Sequence, residues 1–513
     1  MKKLMTLALA AGMLFGAATG ASAIDFKAKG QWLFGFGVAN TDLTSKKDHA
    51  KSDNGDDFSA IQRIRMQLDA VASESLSGTL YFEIGNQNWG RQDQGGALGA
   101  DGNNVIKVKR AYLDWLVPNT DLKFRMGLQG VALPNKAGGS AVMDTDVAGV
   151  TASYTFNENV ALTALWARPF NDNFTTDGTG NKYDHANYLD NMDLFALMLD
   201  LKFDGVQATP WVMYGMAGRN AWDAINGGQY NDGNPAMTMN PYMSGFNHVP
   251  LGYDQFGDPI YGYNPSSNLY GSMFWAGLPV AITLWDPLNI EFDINYGYVE
   301  SYGRFDVYKR NNVNDIRRGK LQREGWLAKA LVEYKMDWGV PGVFGWYASG
   351  DDGNVKNGSE RMPSIAPMGN FTSFMGDGNL GWWLNDYNTS YAGTWGIGLQ
   401  IRDMSFMEDL KHTFRVAYWG GTNSPSMVKY MDSSYAWDNG AGVEGPYLTT
   451  NDGLLEFNLV NTYQIYENLQ LNLELGYVVN MIDQDTWKHS TYNTNQFSKQ
   501  DMWKAQLVFA YSF

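Results

Sequence analysis

The sequence predicts an all-β fold, a transmembrane antiparallel up-and-down β-barrel of 18 strands, with 16 as the alternative. Three observations predict it. Apolar and polar residues alternate with a period of two in many segments, and the connections between those segments alternate between short and long. No stretch after residue 23 has the roughly 18 continuous apolar residues that a membrane helix needs.

The first 23 residues stand apart from that pattern. Met1-Lys2-Lys3 is a positive start, Leu4 to Thr19 is a short apolar run, and Ala21-Ser22-Ala23 is a small-x-small cleavage pattern. Residues 1–23 are therefore expected to be a signal peptide and 24–513 a single barrel domain. No Pro/Ser-rich hinge, low-complexity tract or long charge block divides the remainder.

Composition narrows the class. Without Lys2 and Lys3 the basic count falls from 38 to 36 against 54 acidic residues, which excludes a nucleic-acid binder as a leading idea. The absence of cysteine excludes disulfide and thiolate-metal frameworks, and a lipoprotein anchor with them. Aromatic content is 14 % with 57 glycines, and mean hydropathy is −0.34, too polar for a helical membrane protein. Hidden alternation in a chain rich in Trp, Tyr, Gly and Asn suits a membrane barrel.

In chain order, strands are expected near 25–40, 57–73, 76–87, 104–117, 121–130, 146–156, 159–169, 188–204 and 206–218. Nine more are expected near 270–284, 288–301, 323–335, 340–349, 393–403, 410–420, 453–465, 468–480 and 500–513. The alternation is plain in several. Phe26, Trp32, Phe34 and Phe36 oppose Lys27, Lys29 and Gln31, and Ile64, Met66 and Leu68 oppose Arg63, Arg65, Gln67 and Asp69. Ile290, Phe292, Ile294, Tyr296 and Tyr298 oppose Glu291, Asp293 and Asn295. Leu469 through Val479 oppose Gln470, Asn472, Glu474 and Gly476 in the same way.

A soluble sandwich also alternates, so the connections decide. Pro118-Asn119-Thr120, Asn157-Glu158, Asp204-Gly205 and Asp286-Pro287 are tight, whereas 219–269, 302–322, 350–392 and 421–452 are long. Short periplasmic turns facing long external loops are a barrel's layout. Closure is required, because an open edge in lipid leaves backbone groups unpaired at several kcal/mol each.

The last strand carries the most specific short pattern. Trp503, Ala505, Leu507, Phe509, Tyr511 and Phe513 share one face. Tryptophans fall near strand ends (Trp32, Trp115, Trp166, Trp275, Trp285, Trp326, Trp346, Trp395, Trp419 and Trp503) and are expected to form interfacial girdles.

Leader, strand layout and terminal aromatics, spread over the whole chain, resemble the Gram-negative trimeric porins. The resemblance is closest to the outer membrane homotrimeric porin family of sulfate-reducing bacteria. It implies a homotrimer in outer-membrane lipid. It also implies that the barrel assembly machinery reads Phe509, Tyr511 and Phe513. In general porins the third external loop folds into the barrel and carries a Pro-Glu-Phe-Gly-Gly-Asp motif facing a ladder of arginines. The matching loop here is Val131 to Thr145. Pro134 and Gly138-Gly139 match in kind. Asn135 and Lys136 replace the Glu-Phe, and Ser140 replaces the Asp, so Asp144 and Asp146 are the acids left to face a ladder.

The early strands supply such a ladder. Lys27, Arg63, Arg65, Arg110, Lys123 and Arg125 lie on polar faces, where lipid would cost several kcal/mol near the midplane, so they are expected to line a watery lumen. With Asp144 and Asp146 they are the candidate constriction residues, a basic wall opposed by acids that sets ion preference. An evenly solvated wall without selectivity is the alternative. The long loops bring acidity to the mouth (Asp351, Asp352, Asp377, Asp386, Asp438 and Asp452), except for Arg310, Arg317, Arg318 and Lys320.

Signals for an enzyme are weak. His49, His185, His248, His412 and His489 lie on separate segments without metal-ligand spacing, and Asp351-Asp352-Gly353-Asn354 reads as an ordinary turn before a Ca²⁺ site. The expected function is passive diffusion of ions and small hydrophilic solutes through a channel, with no cofactor. A substrate-specific porin, selective for sugars or anions, is the first alternative and a structural or adhesive barrel the second.

Overall fold

A computed structural model describes residues 24–40, 43–46, 58–90, 106–171, 173, 189–222, 237–238, 246–253, 255–257, 259–260, 264–310, 312–376, 389–431, 434, 444–490 and 497–513. The expected signal peptide, His49, His185, Asp377, Asp386 and Asp438 lie outside these residues.

Eighteen spanning strands form one closed antiparallel sheet. They are β1 (Asp25–Asn40), β2 (Ser59–Ser73), β3 (Leu76–Asn88), β4 (Ile106–Leu116), β5 (Leu122–Ala132) and β6 (Asp144–Asn157). Next come β7 (Val160–Asn171), β8 (Asn191–Phe203), β9 (Val206–Ala208 and Trp211–Gly218), β10 (Tyr270–Trp285), β11 (Leu288–Val299) and β12 (Arg323–Tyr334). The last six are β13 (Val340–Ala348), β14 (Thr394–Met407), β15 (Leu410–Gly421), β16 (Gly453–Tyr466), β17 (Leu469–Asn480) and β18 (Met502–Ser512). Each pairs with its neighbour in sequence, and β18 pairs with β1 from Trp503↔Asn40 to Ser512↔Gln31. The 16-strand alternative falls. Strand β9 is in two pieces because Pro210 has no N–H to give the ladder.

The two faces follow the alternation. Met66, Leu80, Leu197, Leu278, Val332, Leu399 and Leu473 stand exposed on the outer face at mid-strand, an apolar band suited to a lipid surround. Aromatics bracket it: Trp115, Phe156, Trp285 and Tyr463 toward the short turns, Trp166, Tyr296, Trp326, Tyr347, Trp395 and Tyr477 toward the long loops. Three of the expected girdle tryptophans are corrected. Trp275, Trp346 and Trp419 are buried because their register parity turns them inward. There their indole N–H groups donate to the Pro363 carbonyl, Thr394 and Glu456.

The lumen is partly filled by two external connections, L3 (133–143) and L7 (349–393). Leu133, Ala137, Ala141, Val142 and Met143 of L3 join one apolar cluster with inward residues of β7 to β10, namely Leu165, Leu194, Trp211, Met213, Met273 and Trp275. Inside the barrel Gly139–Ser140 of L3 and Met368–Gly369 of L7 pair as a short antiparallel bridge.

Candidate functional site

The wall from β2 to β5 is basic and faces open lumen. On β2, Arg65 donates from Nε to Glu83 of β3 at 2.6 Å, with Arg63 one inward position above it. Next to Glu83 the ladder slips: Tyr81 pairs with Arg110 and Phe82 with Val108, leaving Lys109 as the extra residue of a β-bulge. A bulge puts two successive side chains on one face. Both therefore reach Asp146 on β6, Lys109 Nζ at 3.2 Å and Arg110 Nε at 2.6 Å, and Lys109 also lies 3.8 Å from Glu83.

To reach Asp146, Arg110 crosses β5 at Gly130. A Cβ at that position would stand 2.6 Å from the guanidinium carbon. Nearer the short turns, Arg125 grips Asp114 of β4 with two bonds of 2.8 Å, and Lys123 adds a contact at 3.4 Å. Arg125 also lies over the Tyr112 ring, 4.2 Å from its centroid, and Arg110 over Tyr81 at 5.5 Å. The side chains of Arg65, Lys109, Arg110, Lys123 and Arg125 remain 26–51 % exposed. At the foot of this ladder the wall opens into a recess of about 250 Å³, lined by Lys123, Arg125, Gln129, Thr151, Leu165 and Met198.

Sequence and structure differ here in three ways. Asp144 and Asp146 begin β6 itself, because β5 runs on to Ala132 and β6 starts at Asp144. Asp146 therefore stands beside Arg110 on the same wall and does not oppose it from a loop. Lys27 lies apart, near the short-turn rim, in an exposed contact of 3.7 Å with Asp25. Lys109 was missed, since strict alternation sends it outward once Arg110 is placed inward. Phe509 and Tyr511 keep to the outer face as expected. Phe513 pairs with Gly30 in both directions, at 2.8 and 3.0 Å, and its ring stacks on Tyr511.

Across the lumen L3 docks on β9, β11 and β12. Trp211 Nε1 donates to the Pro134 carbonyl at 3.1 Å. Asp293 accepts from the Lys136 and Ala137 N–H groups at 3.1 and 2.7 Å, and Lys329 donates to the Gly139 carbonyl. L7 lies alongside: Ile365 N–H donates to the Val142 carbonyl, Asp144 N–H to the Ala366 carbonyl, and the Tyr391 hydroxyl to the Gly138 carbonyl. The far side of L7 meets β16 and β18. Glu456 accepts from Thr372 Oγ1 at 2.8 Å and from Phe374 N–H at 3.1 Å, and Lys504 Nζ donates to the Ser373 carbonyl at 2.8 Å.

This docking sorts the inward bases into two groups. Lys329 and Lys504 are buried beneath the loops, whereas Arg65, Lys109, Arg110, Lys123 and Arg125 of the β2–β5 ladder meet solvent and Arg63 is buried within the wall. Among the described residues, the exposed charged surface left beside L3 and L7 therefore includes most of the basic wall. Among the described residues, no group of three or more His, Asp or Glu side chains is arranged to hold a metal ion.

Closed sheet, outward apolar band, aromatic girdles and a polar interior narrowed by infolded loops define a porin-type outer-membrane barrel. No protein-family model matches the chain, and no curated protein sequence matches it significantly. Among solved structures it is similar to the outer membrane protein OprD of Pseudomonas aeruginosa, at 10 % identity over 97 % of this chain and 95 % of that one, with a TM-score of 0.48. It is also similar to OccAB3 of Acinetobacter baumannii, at 10 % identity over 95 % and 99 % with a TM-score of 0.47. OpdK of P. aeruginosa, solved with vanillate, gives 10 % over 95 % and 98 %, also with a TM-score of 0.47.

Proposed function

We propose that this chain forms a water-filled channel for passive diffusion of ions and small hydrophilic solutes, favouring anions along the β2–β5 wall. The imbalance of charge on that wall carries the reading. Arg65, Lys109, Arg110, Lys123 and Arg125, all partly exposed, together with the buried Arg63 outnumber Asp69, Glu83, Asp114, Asp144 and Asp146 on that face. A lumen lined by one sign of charge concentrates the opposite ion and sets selectivity where the passage narrows. The reaction class is transport without chemistry, and no cofactor enters it.

The test is the reversal potential of purified protein in planar bilayers under a salt gradient. An anion-selective potential is expected, and a cation-selective one overturns the preference. A protein that inserts but passes no current supports the structural or adhesive alternative.

One observation favours the substrate-specific alternative. The recess beside Lys123 and Arg125 sets two cations against Leu165 and Met198, a match for a small anion with an apolar body. Saturable block by such a solute, absent with chloride, selects that reading. The homotrimer and the kinship with porins of sulfate-reducing bacteria belong to the same proposal. Native mass spectrometry in mild detergent tests the first, with three copies expected.

A further inference from the structure

Two buried lysines on the inner wall do the same thing to two different loops. Lys329 on β12 donates to a carbonyl of L3, that of Gly139. Its neighbour Asp293 on β11, 3.7 Å away, accepts the preceding N–H groups of Lys136 and Ala137. Lys504 on β18 donates to a carbonyl of L7, that of Ser373. Glu456 on β16 accepts from the residues on either side, Thr372 Oγ1 and Phe374 N–H. Lys504 is itself paired with Glu474 of β17 at 2.9 Å. In both places a wall cation and a wall carboxylate bind a loop chiefly by its main chain.

Burying ionic groups is a poor way to gain stability. Desolvation costs several kcal/mol per ion, and an apolar pair of similar volume often serves as well. What such groups add is geometry, since an unsatisfied buried charge excludes other loop positions. Between the two anchor points, L3 and L7 are tied to each other by the Ser140↔Met368 bridge and by Tyr391, whose hydroxyl donates to Gly138 and whose ring lies 5.3 Å from Lys329 Nζ. The loops form one span across the lumen, fixed at both ends.

We infer that Lys329 with Asp293, and Lys504 with Glu456, are positioning residues: two main-chain latches that hold L3 and L7 as a single constriction and so set the channel's cross-section. The inference rests on the channel reading above.

Lys329 is buried away from the passage, so releasing the latch should alter size and leave selectivity in place. In planar bilayers Lys329→Met is expected to raise single-channel conductance and open-channel noise, with the reversal potential of the native protein. Lys329→Arg should restore native values, since a guanidinium can still donate to Gly139. Folding is checked by the mobility shift between unheated and heated samples on gels. The chain has no cysteine, so Ser140→Cys with Met368→Cys gives a second route: oxidation of this pair should return Lys329→Met to native conductance. Lys504→Met should act like Lys329→Met.

Native conductance in both folded Met variants overturns the inference. So does a changed reversal potential in Lys329→Met, which would place Lys329 in the passage. Absence of any current through the native protein instead defeats the channel reading itself.

Discussion

Arg110 reaches Asp146 only by crossing the bare backbone of Gly130, with its Nε 2.6 Å from the carboxylate and its guanidinium where a Cβ at 130 would stand. The glycine is thus part of the ladder, although it carries no charge. Gly130→Ala should displace Arg110 and leave Asp146 to Lys109 alone. A partly exposed ion pair contributes about 1 kcal/mol or less, so the thermal transition should barely move. The readout is selectivity: anion preference should fall, and adding Asp146→Asn should restore it. Unchanged reversal potentials in Gly130→Ala would remove this pair from the selective region.

Arg63 and Arg65 offer a direct test of the ladder. Changing both to Ala leaves Glu83 with Lys109 at 3.8 Å as its remaining close cation, so permeability should move toward cations and conductance should rise. The same change at Arg317 and Arg318 should act less. Those residues belong to the external hairpin Gly303–Lys309 with Asn312–Lys320, where Arg317 pairs with Asp315 and Arg318 is exposed. At physiological salt exposed charges are screened within about 8–10 Å. Equal shifts from the two double variants would locate selectivity at the mouth.

The base of L7 carries a pH response. Burial, with Asp351 and Asp352 close by, pushes the Glu360 carboxyl up to about 7 from an ordinary 4.5. A raised carboxyl favours the folded loop while it is protonated. That stability is complete below about 4.5 and is lost as pH rises through about 7. Hydrogen exchange over residues 350–360, corrected for its intrinsic pH dependence, should be better protected at pH 5.5 than at pH 8. Glu360→Gln should abolish the difference, because its amide carries no charge at either pH. Greater protection at pH 8 would reverse the sign and refute the assignment.

The strands were legible because a two-residue period over ten or more residues has no competing reading in a chain with tight turns at every second connection. Even the extent of β16, expected near 453–465 and found at Gly453–Tyr466, follows from it. What alternation hides is its own interruption. The bulge at Lys109 is set by a local slip against β3, and no residue in β4 announces it. Position near a strand end misassigned Trp275, Trp346 and Trp419 to the girdles, although their register parity turns them inward. The infolding of L7 left no sequence pattern, since its anchors on Glu456 and Lys504 bind mainly main-chain atoms. A glutamate or lysine on an inward face looks the same whether water or a loop covers it.

Phe513 makes a prediction about assembly. Phe513 closes the β18–β1 seam with two main-chain bonds to Gly30, and its ring lies where a Cβ on Gly30 would stand. On the outer face it continues the row of Leu507, Phe509 and Tyr511, stacking on Tyr511 with ring centroids 5.9 Å apart. Deleting Phe513 frees the Gly30 N–H and C=O at the short-turn rim. Water reaches such a rim more readily than the bilayer core, so the loss to the finished barrel should be near the ordinary net value of about 1 kcal/mol per hydrogen bond. A larger effect is expected on the yield of inserted protein, if the assembly machinery reads the terminal aromatics as the resemblance to porins implies. Phe513→Asp and the deletion should therefore lower the amount in the outer membrane with export intact. The fraction that does insert should show a near-native heat-induced gel shift. Phe513→Tyr should insert normally, as it keeps ring and main chain. Full insertion of the Asp variant at ordinary expression would show that closure of the seam needs no terminal aromatic signal.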